Sequence, residues 1–150
     1  MSKTPINKTW IWLGASLAAA YFGWTNRRLF TVSDITTGES AAYPALRSRV
    51  YYTDLSGAMA AAEQALKRLP GWEVRSLDAD NDLLEASVAA PLGFSTDDVT
   101  VYIFDLGHGQ TRVTIRSRSR VGAGDLGRNA AHIRQLQAAM DDRLNVGAAF

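Results

Sequence analysis

Arginines alternate along one segment near the carboxyl end of the chain, where the sequence reads TRVTIRSRSR from Thr111. If this segment is a strand, alternate side chains point to one face. That face carries Arg112, Arg116, Arg118 and Arg120. A guanidinium group binds carboxylates and phosphates through two parallel hydrogen bonds. This arginine row predicts a surface for acidic proteins, lipid headgroups or small anions. The alternative is a solvated face whose charge neighbouring carboxylates neutralise.

Three glycines follow the arginine row in the sequence VGAGDLGRN and could place backbone N–H groups around an anion. Asp125 lies inside this run, at the point where a phosphate would come close. Its carboxylate would repel a pyrophosphate, so we do not interpret the run as a dinucleotide-binding loop. The run instead predicts a structural turn in which Asp125 caps the last helix.

A second acidic motif, DADND from Asp78 to Asp82, resembles the start of a calcium-binding loop. In that loop the sixth position is glycine and the twelfth is glutamate. Here these positions are Leu83 and Ala89, so an EF-hand is rejected. The motif predicts a polar hairpin turn.

The chain contains two histidines, His108 and His132, and no cysteine. Neither histidine has a second ligand at metal spacing. A hydrolase or lyase would require one of them within hydrogen-bond reach of a carboxylate in a pocket. The sequence does not identify such a set, so we predict a protein without enzymatic activity, without a cofactor and without a metal.

The arginine row requires a sheet, and the sequence predicts two β-hairpins. Apolar and polar residues alternate over residues 72–77 and 83–90, in a register that places Arg75 opposite Glu85. The second hairpin joins residues 97–105 to the arginine segment and pairs Ile103 with Val113. A shift of one residue would drive the arginines into the core.

Helices complete the predicted domain. Residues 46–53 form a first strand, Asp54 caps a helix that stops at Pro70, and Asp125 starts the last helix, which carries Arg134 as a further candidate for anion contacts. The element order is strand, helix, four strands, helix. We therefore predict an α+β fold: a mostly antiparallel sheet with the helices packed on one face.

An uncharged segment from Thr9 to Thr25 differs from the rest of the chain. As a helix it spans roughly 25 Å, which is at the lower limit for crossing a bilayer core. Aromatic residues at its ends and cations beyond it suit headgroup regions. These anchor residues are Trp10, Trp12, Tyr21, Phe22, Trp24, Arg27 and Arg28. We predict a transmembrane helix; a cleaved signal peptide and a buried soluble helix are the alternatives.

Length and charge define the remaining organisation. The chain has 150 residues, which we divide into a membrane anchor at 1–28, an extended strap at 29–45 and one α+β domain at 46–150. The formal net charge of +1 gives no reason to predict nucleic-acid binding.

Several stretches of the chain resemble the bacterial family called domain of unknown function 1499. They are Thr36–Arg47, Leu69–Val74, Asp97–Val101 and Arg116–Arg134. The resemblance covers essentially everything after the anchor, and other members have a similar N-terminal apolar segment. It implies that Thr36–Arg47 belongs to the domain. It implies no activity and no catalytic residues.

These observations favour a non-enzymatic accessory subunit, anchored by one helix, whose extrinsic domain docks on a larger membrane protein complex, such as a respiratory or photosynthetic one. The expected partners are other membrane subunits and bilayer lipid. The expected location is the bacterial inner membrane, with the domain in the periplasm. The alternative is a tethered module that binds an anionic lipid or small ligand in a pocket between sheet and helix.

Overall fold

The computed structural model of the chain describes residues 8–90 and 95–144, and in these residues one antiparallel sheet is covered by helices on a single face. The helices are α1 (Lys8–Thr25), α2 (Arg28–Thr31), α3 (Leu55–Arg68) and α4 (Arg128–Leu144). The strands are β1 (Asp34–Thr36), β2 (Arg49–Tyr51), β3 (Trp72–Asp78), β4 (Leu83–Ala89), β5 (Thr96–Gly107) and β6 (Gln110–Ser119). The prediction of an α+β fold with an antiparallel sheet is confirmed.

The sheet has the order β1-β6-β5-β4-β3, and β2 pairs with the same edge of β6 as β1. The β5–β6 hairpin has the predicted register, with Ile103 opposite Val113. His108 and Gly109 form its turn with positive φ angles of 52° and 70°. Because the register is as expected, the aliphatic side chains of Val99, Val101 and Ile103 in β5 and of Val113 and Ile115 in β6 point to the helices, and the arginines point away.

The β3–β4 hairpin corrects one predicted pair. A bulge lies between Val74 and Ser76, so Ser76 rather than Arg75 is opposite Glu85. The hydroxyl of Ser76 donates to Glu85 at 2.8 Å, and Arg75 Nε donates to Ser87 at 2.8 Å. The predicted Arg75–Glu85 pair is wrong because a bulge adds one residue to one strand only.

The core lies between the sheet and the helices α3 and α4. Val101 and Ile115 from the sheet meet Leu66 from α3 and Ile133 from α4, and all four are fully or almost fully buried. Asp54 caps α3 as predicted, because its carboxylate accepts a hydrogen bond from the Gly57 N–H at 2.7 Å. The buried face of α3 consists mostly of alanine, whose small side chain brings the helix close to the core.

Residues 29–45 differ from the extended strap that the sequence predicts. They contain most of α2 and all of β1, and Ile35 in β1 is fully buried. Tyr43 and Leu46 are also part of the core. A strand with a single buried residue has too short a periodic pattern to be identified from sequence.

Helix α1 has 18 residues, and its described side chains are almost all exposed. Trp12 and Leu17 are each 72% exposed and Trp24 is 70% exposed. Within residues 8–90 and 95–144, no helix is both long and apolar enough to cross a membrane. The predicted transmembrane helix is therefore not confirmed. The side chain of Trp10 lies outside the described part of the chain.

Candidate functional site

The arginine row lies on the face of the sheet that the helices leave uncovered, which we call the outer face. Along β6 the residues Val113, Ile115 and Ser117 are buried beneath the helices. The alternate positions carry Arg112, Arg116, Arg118 and, just beyond the strand, Arg120. The structure therefore brings the four predicted strand arginines to one face.

Two of these arginines are paired with carboxylates. Arg116 makes a bidentate pair with Asp34 of β1, at 2.9 and 2.6 Å. Arg120 binds Asp98 of β5 at 2.7 to 3.0 Å. The hydrogen bonds from Arg116 hold the pKa of Asp34 below its ordinary value, and the two carboxylates raise the pKa values of their arginines. Half of the row is therefore neutralised locally.

The other two strand arginines have different surroundings. The guanidinium of Arg112 lies over the Phe104 ring, 4.9 Å from the ring centre. Arg118 is exposed and has no ion-pair partner in the described residues. Arg134 was expected to act with the row, but it is exposed on α4, on the other side of the sheet. Helix α4 packs on the sheet through its other face, so Arg134 points to solvent and not toward the arginine row.

The outer face carries an open cleft of about 1220 Å³, which we call the outer cleft. Its floor consists of Tyr102 and Phe104 of β5 and Arg112 and Arg116 of β6. Its wall is the connection between β1 and β2, residues 37–48, which rises from the edge of the sheet. Both strands pair with β6, so the connection between them must leave the sheet and return to the same edge.

Hydrogen bonds fix this wall to the floor. The Ser48 hydroxyl lies 2.8 Å from the Thr114 hydroxyl of β6, and Thr37 accepts the Ile115 N–H at 3.0 Å. Gln137 of α4 donates to the Arg47 carbonyl at 2.7 Å. The wall is therefore part of the folded domain, as the family resemblance implied for Thr36–Arg47.

The sequence predicts a pocket between the sheet and a helix, but the outer cleft does not lie there. Ile115 is buried there, and Trp72 and Val74 pack against the core beside it. The cavity lies on the opposite face of the sheet. Arg47, Tyr102 and Phe104 contribute to it but were not predicted as site residues. The register that pairs Ile103 with Val113 also pairs Phe104 with Arg112, so this contact could have been found from the sequence. The position of Arg47 depends on β1, which was not predicted.

A buried polar cluster lies at the other side of the sheet, where β5 begins and α4 begins. Asp97 is fully buried and binds Arg128, with Nε–Oδ2 and Nη2–Oδ1 distances of 3.1 and 3.2 Å. Asn129 bonds Ser117 and Ser119 at 2.6 and 3.0 Å. This cluster joins the two central strands to α4.

His132 borders this cluster, with its ring edge-to-face against Trp72. Its Nδ1 atom is 3.7 Å from Asp97 Oδ2, which is longer than a hydrogen bond, and has no hydrogen-bond partner in the described residues. Burial lowers the pKa of His132; the Asp97 carboxylate opposes this effect and the Arg128 charge adds to it. Neither histidine lines the outer cleft. His132 lies on α4, and His108 lies in the exposed turn between β5 and β6.

His132 should make the folded state sensitive to acid. Because folding lowers its pKa, the unfolded chain takes up the proton first, and stability falls as the pH drops from about 6.5 toward the folded pKa. Replacing His132 by glutamine is expected to flatten this dependence by at most about 1.4 kcal/mol per pH unit. Urea unfolding at several pH values measures both slopes; equal slopes in the two proteins would refute the assignment.

The backbone N–H groups of the glycine run bind α2 rather than an anion. The N–H groups of Asp125 and Leu126 donate to the carbonyls of Val32 and Leu29, at 3.3 and 2.9 Å. Gly124 lies so close to Phe30 that a β-carbon would meet its backbone at 2.2 Å. The glycine run therefore holds α2, which follows α1 in the chain, against the domain.

Asp125 supports the start of α4 as predicted, although the helix begins later. Its carboxylate accepts the N–H groups of Gly127 and Asn129, both at 2.7 Å. The helix begins at Arg128, because Leu126 and Gly127 have positive φ angles of 56° and 84°. Such angles are incompatible with a right-handed helix.

The predicted anchor residues fall into two groups. Tyr21, Phe22 and Trp24, like Trp12, are exposed on α1. Arg27 is exposed in the turn after α1. Arg28 contacts the domain instead: its guanidinium lies 5.2 Å from the Tyr43 ring centre, and it donates to the Ala42 carbonyl at 3.3 Å.

Two solved structures show a distant similarity to this chain. The first is TTHA0849 from Thermus thermophilus, with 12% identity and a TM-score of 0.44 over 77% of this chain and 99% of that one. The second is the Zhui aromatase/cyclase from Streptomyces sp. R1128, with 12% identity and a TM-score of 0.41 over 75% of this chain and 86% of that one. No curated protein matches the chain.

One family matches most of the sequence. The match covers residues 26–140 of the 150 and begins directly after α1. It therefore includes the outer cleft, the glycine run and the buried polar cluster. This protein belongs to the family described as "Protein of unknown function (DUF1499)".

Proposed function

We propose that this protein is a non-enzymatic accessory subunit that α1 attaches to a larger membrane protein complex. The observation that carries the proposal is the exposed apolar surface of α1. Trp12 and the residues from Gly14 to Thr25 are almost all exposed to solvent. A helix that is apolar all round needs other apolar groups around it.

The polar side chains of α1 also suit an apolar environment. Ser16 donates to the Trp12 carbonyl, and Thr25 donates to the Tyr21 carbonyl, both at 2.8 Å. Each hydroxyl thus bonds to the preceding helical turn and does not require water. Without such internal partners, a polar group inside a membrane or an apolar interface would cost several kcal/mol.

The surface of α1 favours other helices as its surroundings. Small residues occupy much of its middle, in the sequence GASLAAA from Gly14. Small residues let two helical backbones approach closely, which is how helices associate within membrane proteins. The expected occupant is therefore an apolar helix of a membrane protein complex.

The connection between α1 and the domain supports a fixed geometry. The turn after α1 continues the helical hydrogen bonding, with the Asn26 N–H donating to Phe22 and the Leu29 N–H donating to Asn26, each at 2.9 Å. The glycine run then binds α2. In the proposed complex the domain would therefore rest at a constant distance from α1, outside the bilayer and, as we propose, on the periplasmic side.

Replacing Leu17 by arginine should detach the protein, because a charge in the middle of α1 opposes burial against apolar helices. The protein is purified from native membranes in mild detergent and analysed by native electrophoresis. We expect the wild-type chain to co-migrate with a complex much larger than itself, and the L17R chain to run alone.

Tyr52→Arg is the matched control, because Tyr52 is 78% exposed and lies at the end of the sheet remote from α2. This variant adds the same charge but should remain in the complex. Wild-type protein that migrates as a monomer, or L17R protein that stays in the complex, would overturn the proposal.

A further inference from the structure

We propose that the outer cleft is a binding site for an organic anion, with a phosphate or carboxylate group bound by Arg112 and Arg47 and an apolar body on Tyr102 and Phe104. This site does not depend on how α1 is attached. The charges, the floor and the hydrogen-bonded wall of the cleft support this site.

The charges of the cleft leave cationic groups free for a ligand. Arg116 is bound by Asp34, so its charge is neutralised. Arg112 and Arg47 also line the cleft and have no carboxylate partner in the described residues. Glu39 is the other acidic residue of the lining, so cationic groups outnumber anionic ones by three to two.

The orientation of Arg112 suits recognition of an anion. Its guanidinium lies on the Phe104 ring, so one face is covered and the N–H edge is available. Stacking restricts the rotation of the side chain, which reduces the entropy that a bidentate bond to a phosphate or carboxylate would cost. Lysine could not reproduce this arrangement.

The floor offers an apolar surface next to these charges. Phe104 is 42% exposed, and Tyr102 is half-buried two residues before it on the same strand. Exposed aromatic residues beside polar groups are typical of sites that bind small molecules. A ligand that has both an anionic group and a ring would use both parts of the cleft.

Hydrogen bonds within the wall and to the sheet hold it in place without a ligand. Ser48 contacts both Thr37 and Thr114 through its hydroxyl, at 3.2 and 2.8 Å. The Ser40 hydroxyl accepts the Thr36 N–H at 2.9 Å. A preformed cavity of about 1220 Å³ is large enough for a ligand of the size of a nucleotide or a short-chain phospholipid.

The test uses full-length protein in amphipol and two probes, 1-naphthyl phosphate and dihexanoyl phosphatidylglycerol, titrated by calorimetry. Inorganic phosphate is the control for the anionic group alone, and 1-naphthol is the control for the aromatic ring alone. We expect at least one probe to bind about tenfold more tightly than either control. The tighter probe identifies the source of the anion as a soluble molecule or a lipid headgroup.

Two variants locate the binding. Arg112→Gln is expected to weaken binding about tenfold, since it removes charge-assisted hydrogen bonds. Arg118→Gln removes a charge from the same strand and face but outside the cleft, and should leave binding unchanged. Phe104→Leu removes both the aromatic floor and the ring on which Arg112 stacks, and should also weaken binding. Equal effects of R112Q and R118Q, or no binding of either probe, would overturn the proposal.

Discussion

Replacing Gly124 by alanine is expected to destabilise the folded protein by about 3 kcal/mol, because the new β-carbon has no space. It would lie 2.2 Å from the carbonyl carbon of Phe30 and 2.4 Å from the carbonyl oxygen. These neighbours are backbone atoms, so no side-chain rotation can relieve the clash. Either α2 or the loop must move, and the hydrogen bonds between Leu126 and Leu29 and between Asp125 and Val32 would be lost.

Denaturant unfolding of wild-type and G124A protein measures this loss. Gly109→Ala is the control, because Gly109 has a φ angle of 70° but nothing within 4 Å of an added β-carbon. The G109A variant introduces backbone strain without a steric clash, and its free energy of unfolding should fall by about 1 kcal/mol. A G124A loss no larger than that of G109A would show that the contact with Phe30 is unimportant.

The Gly124 contact also connects stability to the proposed attachment. A displaced α2 would leave the domain folded around its core while α1 lost its fixed direction, since the buried core residues come from the sheet, α3, α4 and the β1–β2 connection and not from α2. We therefore expect the G124A protein to retain the sheet and helices but to bind less firmly within a complex.

The predictions that succeeded are those in which one face of an element had to be buried. The register of β5 and β6 was determined by the alternation of valine and isoleucine with arginine, because any shift by one residue would bury several charges. The cap at Asp54 was also predictable, because it depends only on residues close in sequence.

The outer cleft could not be predicted, because its wall depends on contacts between distant residues. Residues 37–48 form a wall only because β1 and β2 both pair with β6, and β1 contributes a single buried side chain, Ile35. The direction of Arg134 depends on which face of α4 packs on the sheet. The bulge at Arg75 has no signal in the alternating pattern.

The pair between Asp97 and Arg128 was missed for a similar reason, since 31 residues separate its members. Replacing Arg128 by methionine is expected to destabilise the protein by about 3 kcal/mol at neutral pH. Asp97 is fully buried, and its loss of a bidentate partner leaves a carboxylate without a counter-charge. Arg128 itself is 28% exposed, which places the loss at the lower end for a buried pair.

The pH dependence of this loss distinguishes an uncompensated charge from a simple packing defect. The Arg128 charge lowers the pKa of His132, so its removal raises that pKa. On acidification His132 then becomes protonated at 3.7 Å from Asp97 Oδ2 and supplies the missing positive charge. The difference in unfolding free energy between wild-type and R128M protein should therefore shrink below about pH 6.

Urea unfolding at neutral and acidic pH measures this difference, with Arg118→Met as the control for loss of an exposed arginine, expected to change stability by less than about 0.5 kcal/mol. Adding His132→Gln to R128M should abolish the recovery at acidic pH, because glutamine cannot become cationic. If the R128M protein loses the same free energy of unfolding at both pH values, then Arg128 stabilises the fold through packing and not by compensating the charge of Asp97. Recovery in acid that depends on His132 would instead show that Asp97 needs a cation, which either α4 residue can provide.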